Sequence, residues 1–250
     1  WVVLAKRMIT TNRITNKTKG MHLKYKSDIK ILCVLCFAFA VGFPNSRLQA
    51  QPFKQEILQF QKSDSIVMPP KGQIVFAGSS SFTRWKDVAM YFPGYPIINR
   101  GFGGATLVDL IYFVDEAIIQ YQPSQVLIYC GENDMADVDT VSPATVLDRF
   151  KTLHSILLKK LPRSTKIVFV SIKPSVARWH LESKFIEANK LIEGYIATQK
   201  NIQYLDVHTA MLDENKVVLQ DIFIADKLHM NPKGYLIWQK LFAPLLKLPK

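Results

Sequence analysis

From residue 73 onward, short apolar runs rich in β-branched residues alternate with longer amphipathic stretches. The central runs lack the polar–apolar alternation of half-exposed strands, which is typical of parallel strands covered by helices on both faces. The strand candidates are Gln73–Ala77, Pro96–Asn99, Gln125–Tyr129, Lys166–Ser171 and Ile202–Leu205. The helix candidates are Leu107–Tyr121, Pro143–Leu161, Leu181–Gln199 and Pro232–Leu246. This alternation predicts a doubly wound α/β fold with five parallel strands.

Two of the predicted helices carry clear start signals. Ser142 precedes Pro143 and Asn231 precedes Pro232, so a capping side chain comes just before a proline at the first helical turn. No internal repeat, low-complexity tract or Gly/Ser-rich linker divides the region. We therefore expect one domain, covering residues 51–250.

The first fifth of the chain differs from the rest in charge. Residues 1–50 hold 9 of the 32 Lys and Arg residues and one of the 20 Asp and Glu residues, so they contribute +8 of the net charge of +12. The remaining 200 residues carry only +4. A surface that binds nucleic acid needs basic residues clustered on the folded body. We therefore expect no nucleic-acid partner.

Residues 21–50 have the layout of a secretory signal peptide. Met21 is followed by three lysines, the apolar run Ile31–Phe43 and the small residue Ala50. This run of 13 residues is shorter than the stretch of about 20 that a transmembrane helix needs. We expect export with no membrane span in the mature chain, and an uncleaved N-terminal anchor is the alternative. Residues 1–20 are interpreted as an upstream extension outside the fold.

Cysteine usage excludes a disulfide-stabilised fold. Cys33 and Cys36 lie inside the apolar run and would leave with the signal peptide. Only Cys130 remains in the mature body, where it ends an apolar run and is expected to be a small buried hydrophobic residue.

Four short segments concentrate the unusual residues, and three of them follow a predicted strand. They are residues 78–85 (GSSSFTRW), 99–106 (NRGFGGAT), 131–134 (GEND) and 226–232 (DKLHMNP). Sites in open parallel sheets form outside the carboxyl ends of the strands. If the strand order is 2-1-3-4-5, the second and third strands flank the first, and their ends surround Ser80.

In this order, the four segments resemble blocks I, II, III and V of the SGNH hydrolase (GDSL-type esterase) superfamily. The resemblance covers Gln73 to about Leu246. Block I usually reads Gly-Asp-Ser, whereas here Ser79 stands at the Asp position, as in a Gly-Ser-Ser-Ser variant. The resemblance implies a flavodoxin-like three-layer α/β/α fold, Ser80 as nucleophile and no metal or organic cofactor.

Ser80, His229 and Asp226 have the residue types of a catalytic triad. A serine hydroxyl is a weak nucleophile unless a positioned base takes its proton. His229 is the best candidate for that base, and Asp226 lies three residues earlier, on the same face of a helical turn. The Asp226 carboxylate would hold one imidazole nitrogen while the other faces Ser80. The alternative is that Asp226 only caps a turn and His229 is a surface residue.

Acyl transfer also needs donors for the oxyanion of the tetrahedral intermediate. We predict the backbone N–H groups of Ser80 and Gly104, the latter because a residue without Cβ allows a close approach. The side-chain amide of Asn133, which matches the block III asparagine of the resemblance, is the third. The glycine-rich segment would otherwise be a phosphate-binding loop, but it follows the second predicted strand, not the first, and no Gly-Lys-Ser/Thr motif follows it.

Trp85 and Phe102 are expected near the mouth of the site, where they would either pack against the protein or contact the substrate. Arg84 and Arg100 would either meet an acidic group of the substrate or be solvated. The remaining histidines lack the spacing of metal ligands, so we expect no metal site.

The sequence thus predicts an exported serine esterase that hydrolyses small-molecule or carbohydrate esters, with acetyl groups on carbohydrate as one substrate class. A lipase or lysophospholipase is the alternative among enzymes. A catalytically silent glycan-binding module and a flavodoxin-like nucleotide or flavin binder are the alternatives from other classes. The oligomeric state stays open.

Overall fold

The computed structural model describes residues 53–136 and 140–248. The predicted upstream extension and signal peptide lie outside these residues. The described chain forms a five-stranded sheet in which every strand pairs in parallel, in the order β2-β1-β3-β4-β5. The strands are β1 (Ile74–Gly78), β2 (Ile97–Gly101), β3 (Gln125–Tyr129), β4 (Lys166–Val170) and β5 (Ile202–Leu205). The predicted fold class and strand order are confirmed.

Helices of very different lengths connect the strands. The α-helices in the described part of the chain are α1 (Lys54–Ile66), α2 (Ser80–Thr83), α3 (Val88–Tyr91), α4 (Leu107–Tyr112), α5 (Val114–Ala117), α6 (Glu132–Ala136), α7 (Pro143–Lys160), α8 (Glu182–Ile196) and α9 (Pro232–Phe242). Side chains of Ser142 and Asn231 accept hydrogen bonds from the first turns of α7 and α9. Both predicted caps are therefore present. In the part of the chain that the structure describes, no helix combines the length and apolar character needed to cross a bilayer.

The strands separate two apolar cores, as alternate residues of each strand point to opposite faces of the sheet. On one face, Val75 and Val126 pack in a cluster with residues of α1, α4, α5, α7 and α8. On the other, Phe76 and Leu127 pack with α2, α3 and α9. Every residue of β1 and β3 is buried. This burial explains why the central runs are apolar without alternation.

The predicted helix over 107–121 is divided into α4, α5 and a 3₁₀ turn at Ile119–Tyr121. Each break falls at a buried apolar residue, Phe113 and Ile118, whose backbone leaves the helical region. Helix α1 has no counterpart in the sequence prediction, because only one of its residues, Ile57, is buried and its apolar periodicity is weak.

The carboxyl ends of the three neighbouring strands finish level with one another. Gly78 of β1 pairs with Gly101 of β2 and with Tyr129 of β3. A Cβ on Gly78 would lie 1.9 Å from the carbonyl oxygen of Tyr129, and its φ is +136°. Only glycine fits at this point, where the chain leaves the sheet and begins the segment that carries Ser80.

Candidate active site

Ser80 is the first residue of α2, immediately after β1. Its neighbours Ser79 and Ser81 are 2% and 1% exposed, whereas Ser80 is half-buried. The backbone N–H of Ser79 donates to Tyr129 of β3 at 2.9 Å, which ties the turn to the central strand. Among these three serines, only Ser80 lines the cavity described below.

His229 lies between Ser80 and Asp226. Its Nε2 is 2.9 Å from Ser80 Oγ, and its Nδ1 is 2.7 Å from Asp226 Oδ2. An ionised carboxylate only accepts hydrogen bonds, so the proton of the neutral imidazole sits on Nδ1 and Nε2 is left as the acceptor. The three side chains that the sequence selected as a triad are therefore brought together, with the base facing the serine.

The turn that carries Asp226 and His229 is built around the carboxylate. Asp226 Oδ1 accepts the backbone N–H groups of Leu228 and His229, both at 2.9 Å. Lys227 adopts the left-handed conformation with φ +58°. The turn is therefore not the helical turn expected from the sequence. It is held by the Asp226 carboxylate and the left-handed Lys227, and it brings the side chains of Asp226 and His229 together.

Electrostatics keep Asp226 charged. Partial burial by itself would raise its pKa, but hydrogen bonds from the backbone and imidazole of His229 and from the N–H of Leu228 lower the pKa to about 2. The carboxylate is therefore ionised throughout the neutral range, where it can orient the imidazole and stabilise its protonated form.

Two backbone donors point to an oxyanion site. Ser80 and Gly104 both line the cavity, and neither backbone N–H is hydrogen-bonded to any residue that the structure describes. Gly104 has φ +82°, while a Cβ there would meet only the Phe53 ring at 3.6 Å. The reason for glycine is therefore the left-handed backbone that turns the N–H, and not the close approach expected from the sequence.

Asn133 is held by two partners. Its Nδ2 donates to the carbonyl of Ala105 at 3.0 Å, and its Oδ1 accepts from Arg178 Nη1 at 2.9 Å. An arginine can only donate, so the oxygen and nitrogen of the amide are fixed by these neighbours. The second N–H of the amide is left for the cavity, whose wall includes Asn133.

A buried charged cluster lies beneath these residues. It is centred on Glu132, which is 4% exposed and accepts a short hydrogen bond from Tyr129. Glu132 pairs with Arg178 at 2.9 Å and with Lys173 at 3.4 Å. Burial alone would raise the pKa of Glu132, but the two cations and the Tyr129 hydroxyl lower it below its ordinary value. We call these four side chains the Glu132 cluster.

The Glu132 cluster contacts both the oxyanion donor Asn133 and the turn that carries Asp226 and His229. Arg178 Nη1 contacts Asn133 Oδ1, as described, and Lys173 Nζ donates to the carbonyl of Leu228 at 2.9 Å. Leu228 lies between Asp226 and His229, and the carbonyl of the preceding residue, Lys227, accepts the backbone N–H of Ala177 at 3.0 Å. The loop after β4 thereby anchors the turn that carries the catalytic pair.

Lys173→Met is expected to lower kcat for a simple ester about a hundredfold while KM changes little, because a displacement of the base by about 1 Å has an effect of this size. Lys173→Arg, which keeps the charge and the donor, should recover part of the rate. Lys166→Met, at the exposed start of β4, is the matched control. A folded Lys173→Met protein with unchanged kcat would remove Lys173 as a positioning residue.

Trp85 and Phe102 do not lie where the sequence prediction put them. Both are 0% exposed, and neither lines the cavity. Trp85 stacks on Tyr235 of α9 at 4.7 Å between ring centroids, and Phe102 packs against Phe53 at 5.5 Å. They are core residues under the site and are not placed to contact a substrate.

Other residues of the four segments serve the scaffold. Arg100, a candidate for meeting an acidic substrate, instead pairs with Asp64 of α1 at 2.6 Å. Asp134 accepts the N–H of Leu107 and pairs with Arg149 at 2.7 Å, which joins α4 to α7. Within residues 53–136 and 140–248, no cluster of three or more His, Cys, Asp or Glu residues could hold a metal ion.

The site opens into a cavity of about 440 Å³. Its wall carries the serine, the imidazole and the three predicted oxyanion donors. The lining residues are Ser80, Thr83, Arg84, Lys86, Gly103, Gly104, Asn133, Arg178, Leu228 and His229. Only Lys86 and Arg178 among these lining residues lie outside the four segments that the sequence singled out.

The sequence profile of the GDSL-like lipase/acylhydrolase family matches residues 64–237, which include every residue of the site. The chain belongs to this family. It is therefore an ester hydrolase of the lipase/acylhydrolase type. No curated protein matches the chain in a search with its sequence.

Solved structures share the fold of this acylhydrolase. A GDSL-like lipase from Bacteroides thetaiotaomicron has a TM-score of 0.64 at 21% identity, over 76% of this chain and 96% of that one. A candidate platelet activating factor from Streptococcus pneumonia has a TM-score of 0.68 at 15% identity, over 88% and 99%. A catalytic mutant of an acetylxylan esterase from Geobacillus stearothermophilus has a TM-score of 0.56 at 17% identity, over 70% and 94%.

Proposed function

We propose that this acylhydrolase is a serine esterase that works through an acyl-enzyme on Ser80. The observation that carries the proposal is the position of His229 Nε2, 2.9 Å from Ser80 Oγ, with Nδ1 held by Asp226 at 2.7 Å. In the first step, Ser80 Oγ attacks the ester carbonyl carbon while His229 Nε2 takes the hydroxyl proton. Asp226 stabilises the imidazolium that forms.

The negative charge of the tetrahedral intermediate falls on the former carbonyl oxygen. The unpaired N–H groups of Ser80 and Gly104 and the second amide N–H of Asn133 are the donors proposed to receive it. Each such donor commonly contributes about 3 kcal/mol to stabilisation of the transition state. Because Asn133 is fixed by Arg178 and Ala105, its donor needs little reorganisation as the charge develops.

Collapse of the intermediate breaks the bond to the leaving alcohol, which takes the proton from His229. Water then attacks the acyl-enzyme while His229 accepts one of its protons, and a second collapse releases the carboxylic acid and restores Ser80. Each proton removed by the imidazole is returned to an oxygen that leaves, so the cycle closes without any further reactant.

For the substrate we propose short acyl esters, with acetyl groups on carbohydrate as the preferred class. The cavity of about 440 Å³ lies in the lower part of the range of roughly 300–1,000 Å³ for ligand pockets, and its volume must hold both the acyl group and the alcohol part of the ester, which favours a small acyl group. The fold is also that of the acetylxylan esterase described above. The alternatives are a lipase or lysophospholipase, which needs a long apolar groove, and a silent glycan-binding module, which needs no base beside Ser80.

p-Nitrophenyl esters from acetyl to octanoyl separate these functions. A small acyl site predicts the highest kcat/KM for acetyl or propionyl and a fall with longer chains. A lipase-type groove predicts the reverse, because each buried CH₂ contributes about 0.8 kcal/mol. A steady rise to octanoyl would replace the acetyl proposal with the lipase alternative. The absence of hydrolysis for every chain length would favour the binding module.

We also propose that the protein is exported and cleaved after residue 50. The support is the layout of residues 21–50, in which a basic segment precedes the apolar run Ile31–Phe43. Sequencing the N-terminus of the protein from its source cells tests this. A start close to residue 51 agrees with cleavage, and an intact Met21 would contradict it.

A further inference from the structure

The wall of the cavity carries three cationic side chains and no carboxylate. Arg84, Lys86 and Arg178 line it together with Ser80 and His229, and no Asp or Glu is part of this wall. Two carboxylates close to the lining residues in sequence already have partners within the described chain. Glu132 lies buried under Arg178, and Asp226 is paired with His229.

Arg178 is a preorganised donor at this wall. One terminal nitrogen, Nη1, contacts both Glu132 and Asn133 at 2.9 Å, and the side chain is 17% exposed. Its other guanidinium nitrogens are not hydrogen-bonded to any residue that the structure describes, although the guanidinium is a planar fork suited to two oxygen acceptors. A fork held in place loses little conformational entropy when it binds a ligand.

Arg84 and Lys86 supply two further positive charges from the segment directly after α2. Both are exposed, and neither side chain forms an ion pair or a hydrogen bond with the described part of the chain. Asp87 follows Lys86 in sequence but does not line the cavity. Two unpaired cations and one fixed guanidinium thus face the space around the reacting serine.

The geometry points to ester substrates that carry an oxyanion, such as a carboxylate, close to the scissile bond, with Arg84, Lys86 and Arg178 as its binding residues. This inference rests on the proposed function and narrows its substrate class. A neutral acetylated sugar would leave Arg84 and Lys86 without a partner and the remaining guanidinium nitrogens of Arg178 unused, whereas an acidic sugar ester would bind to all three side chains. A charge pair with one exposed cation changes affinity by roughly a few-fold, so two such pairs together change it by about tenfold.

The test compares 4-acetoxybenzoate with the neutral 4-acetoxybenzamide, and the 3-substituted pair in the same way. We expect the ratio of kcat/KM for the charged ester to that for the neutral ester to fall about tenfold in the double variant Arg84→Gln/Lys86→Gln. Comparing ratios between proteins cancels the intrinsic reactivity of each ester. The preference of the wild-type protein for the charged ester should also weaken as the salt concentration is raised, since exposed charges are screened.

Lys159→Gln/Lys190→Gln is the matched control, because it removes the same charge from exposed lysines of α7 and α8 that do not line the cavity. This control should keep the wild-type ratio. An unchanged ratio in Arg84→Gln/Lys86→Gln for both isomers would overturn the inference, and so would an equal loss on charged and neutral esters. Ser80-dependent hydrolysis of the neutral ester would still support the proposed function in either case. The absence of Ser80-dependent hydrolysis of both the charged and the neutral esters would count against the proposed function itself.

Discussion

Replacing Ser80 with alanine is expected to lower kcat for p-nitrophenyl acetate by about 10⁴ or more, because no covalent intermediate can then form. The residual rate would come from the oxyanion donors and from binding alone. The adjacent serines are not placed to take over, since Ser79 and Ser81 are 2% and 1% exposed, and the hydroxyl of Thr83, which also lines the cavity, donates to the carbonyl of Ser79 at 3.3 Å. The measurement is steady-state hydrolysis by purified protein, with folding checked by thermal unfolding.

Ser79→Ala is the matched control for this variant. Ser79 stands at the Asp position of block I, and its side chain does not cap α2. Its structural contact, the backbone N–H to Tyr129, is kept by alanine. We expect Ser79→Ala to retain most of the activity. Comparable rates in Ser80→Ala and wild type would exclude Ser80 as the nucleophile.

Asp226→Asn should lower kcat by about 10³–10⁴ with a much smaller effect on KM, because the imidazole loses the charge that orients it and stabilises its protonated form. Asparagine keeps a side-chain oxygen for the two backbone N–H groups that Asp226 accepts, so the turn itself is expected to persist. A change confined to kcat would therefore reflect the chemical step and not a collapsed loop.

Asp213→Asn is a close control for Asp226→Asn. Asp213 Oδ1 also accepts two backbone N–H groups, from Asn215 and Val217, both at 2.9 Å, but it lies away from the cavity. The Asp213→Asn variant should keep kcat near the wild-type value. An unchanged kcat in Asp226→Asn, or an equal loss in Asp213→Asn, would remove Asp226 from the proposed triad.

The strands and the triad candidates could be predicted from sequence because each has a local signal. Continuous apolar runs identify the strands, since β1 and β3 are buried on both faces. Ser80 follows such a run directly, and Asp226 and His229 are close in sequence, so their proximity needs only a turn. Helix α1 lacks this kind of signal, because it packs through few residues and is held partly by the pair between Asp64 and Arg100.

The Glu132 cluster shows what local patterns do not reveal. Lys173 follows β4 and contacts Glu132, 41 residues away, and Leu228, 55 residues away. Nothing around a single lysine in the sequence distinguishes a buried anchor from a solvated side chain. The substrate-contact role considered for Trp85 and Phe102 was wrong for a related reason. An aromatic residue next to a site in the sequence is as typical of the core beneath the site as of its wall.

In the proposed reaction, Ser80 is the residue that becomes acylated. The most direct measurement is to react the folded protein with a fluorophosphonate, which modifies activated serines, and to locate the adduct by peptide mass spectrometry. We expect one adduct, on Ser80, that is lost in His229→Ala, because the imidazole activates the hydroxyl. An adduct on another serine, or full labelling of Ser80 in His229→Ala, would contradict this role of Ser80.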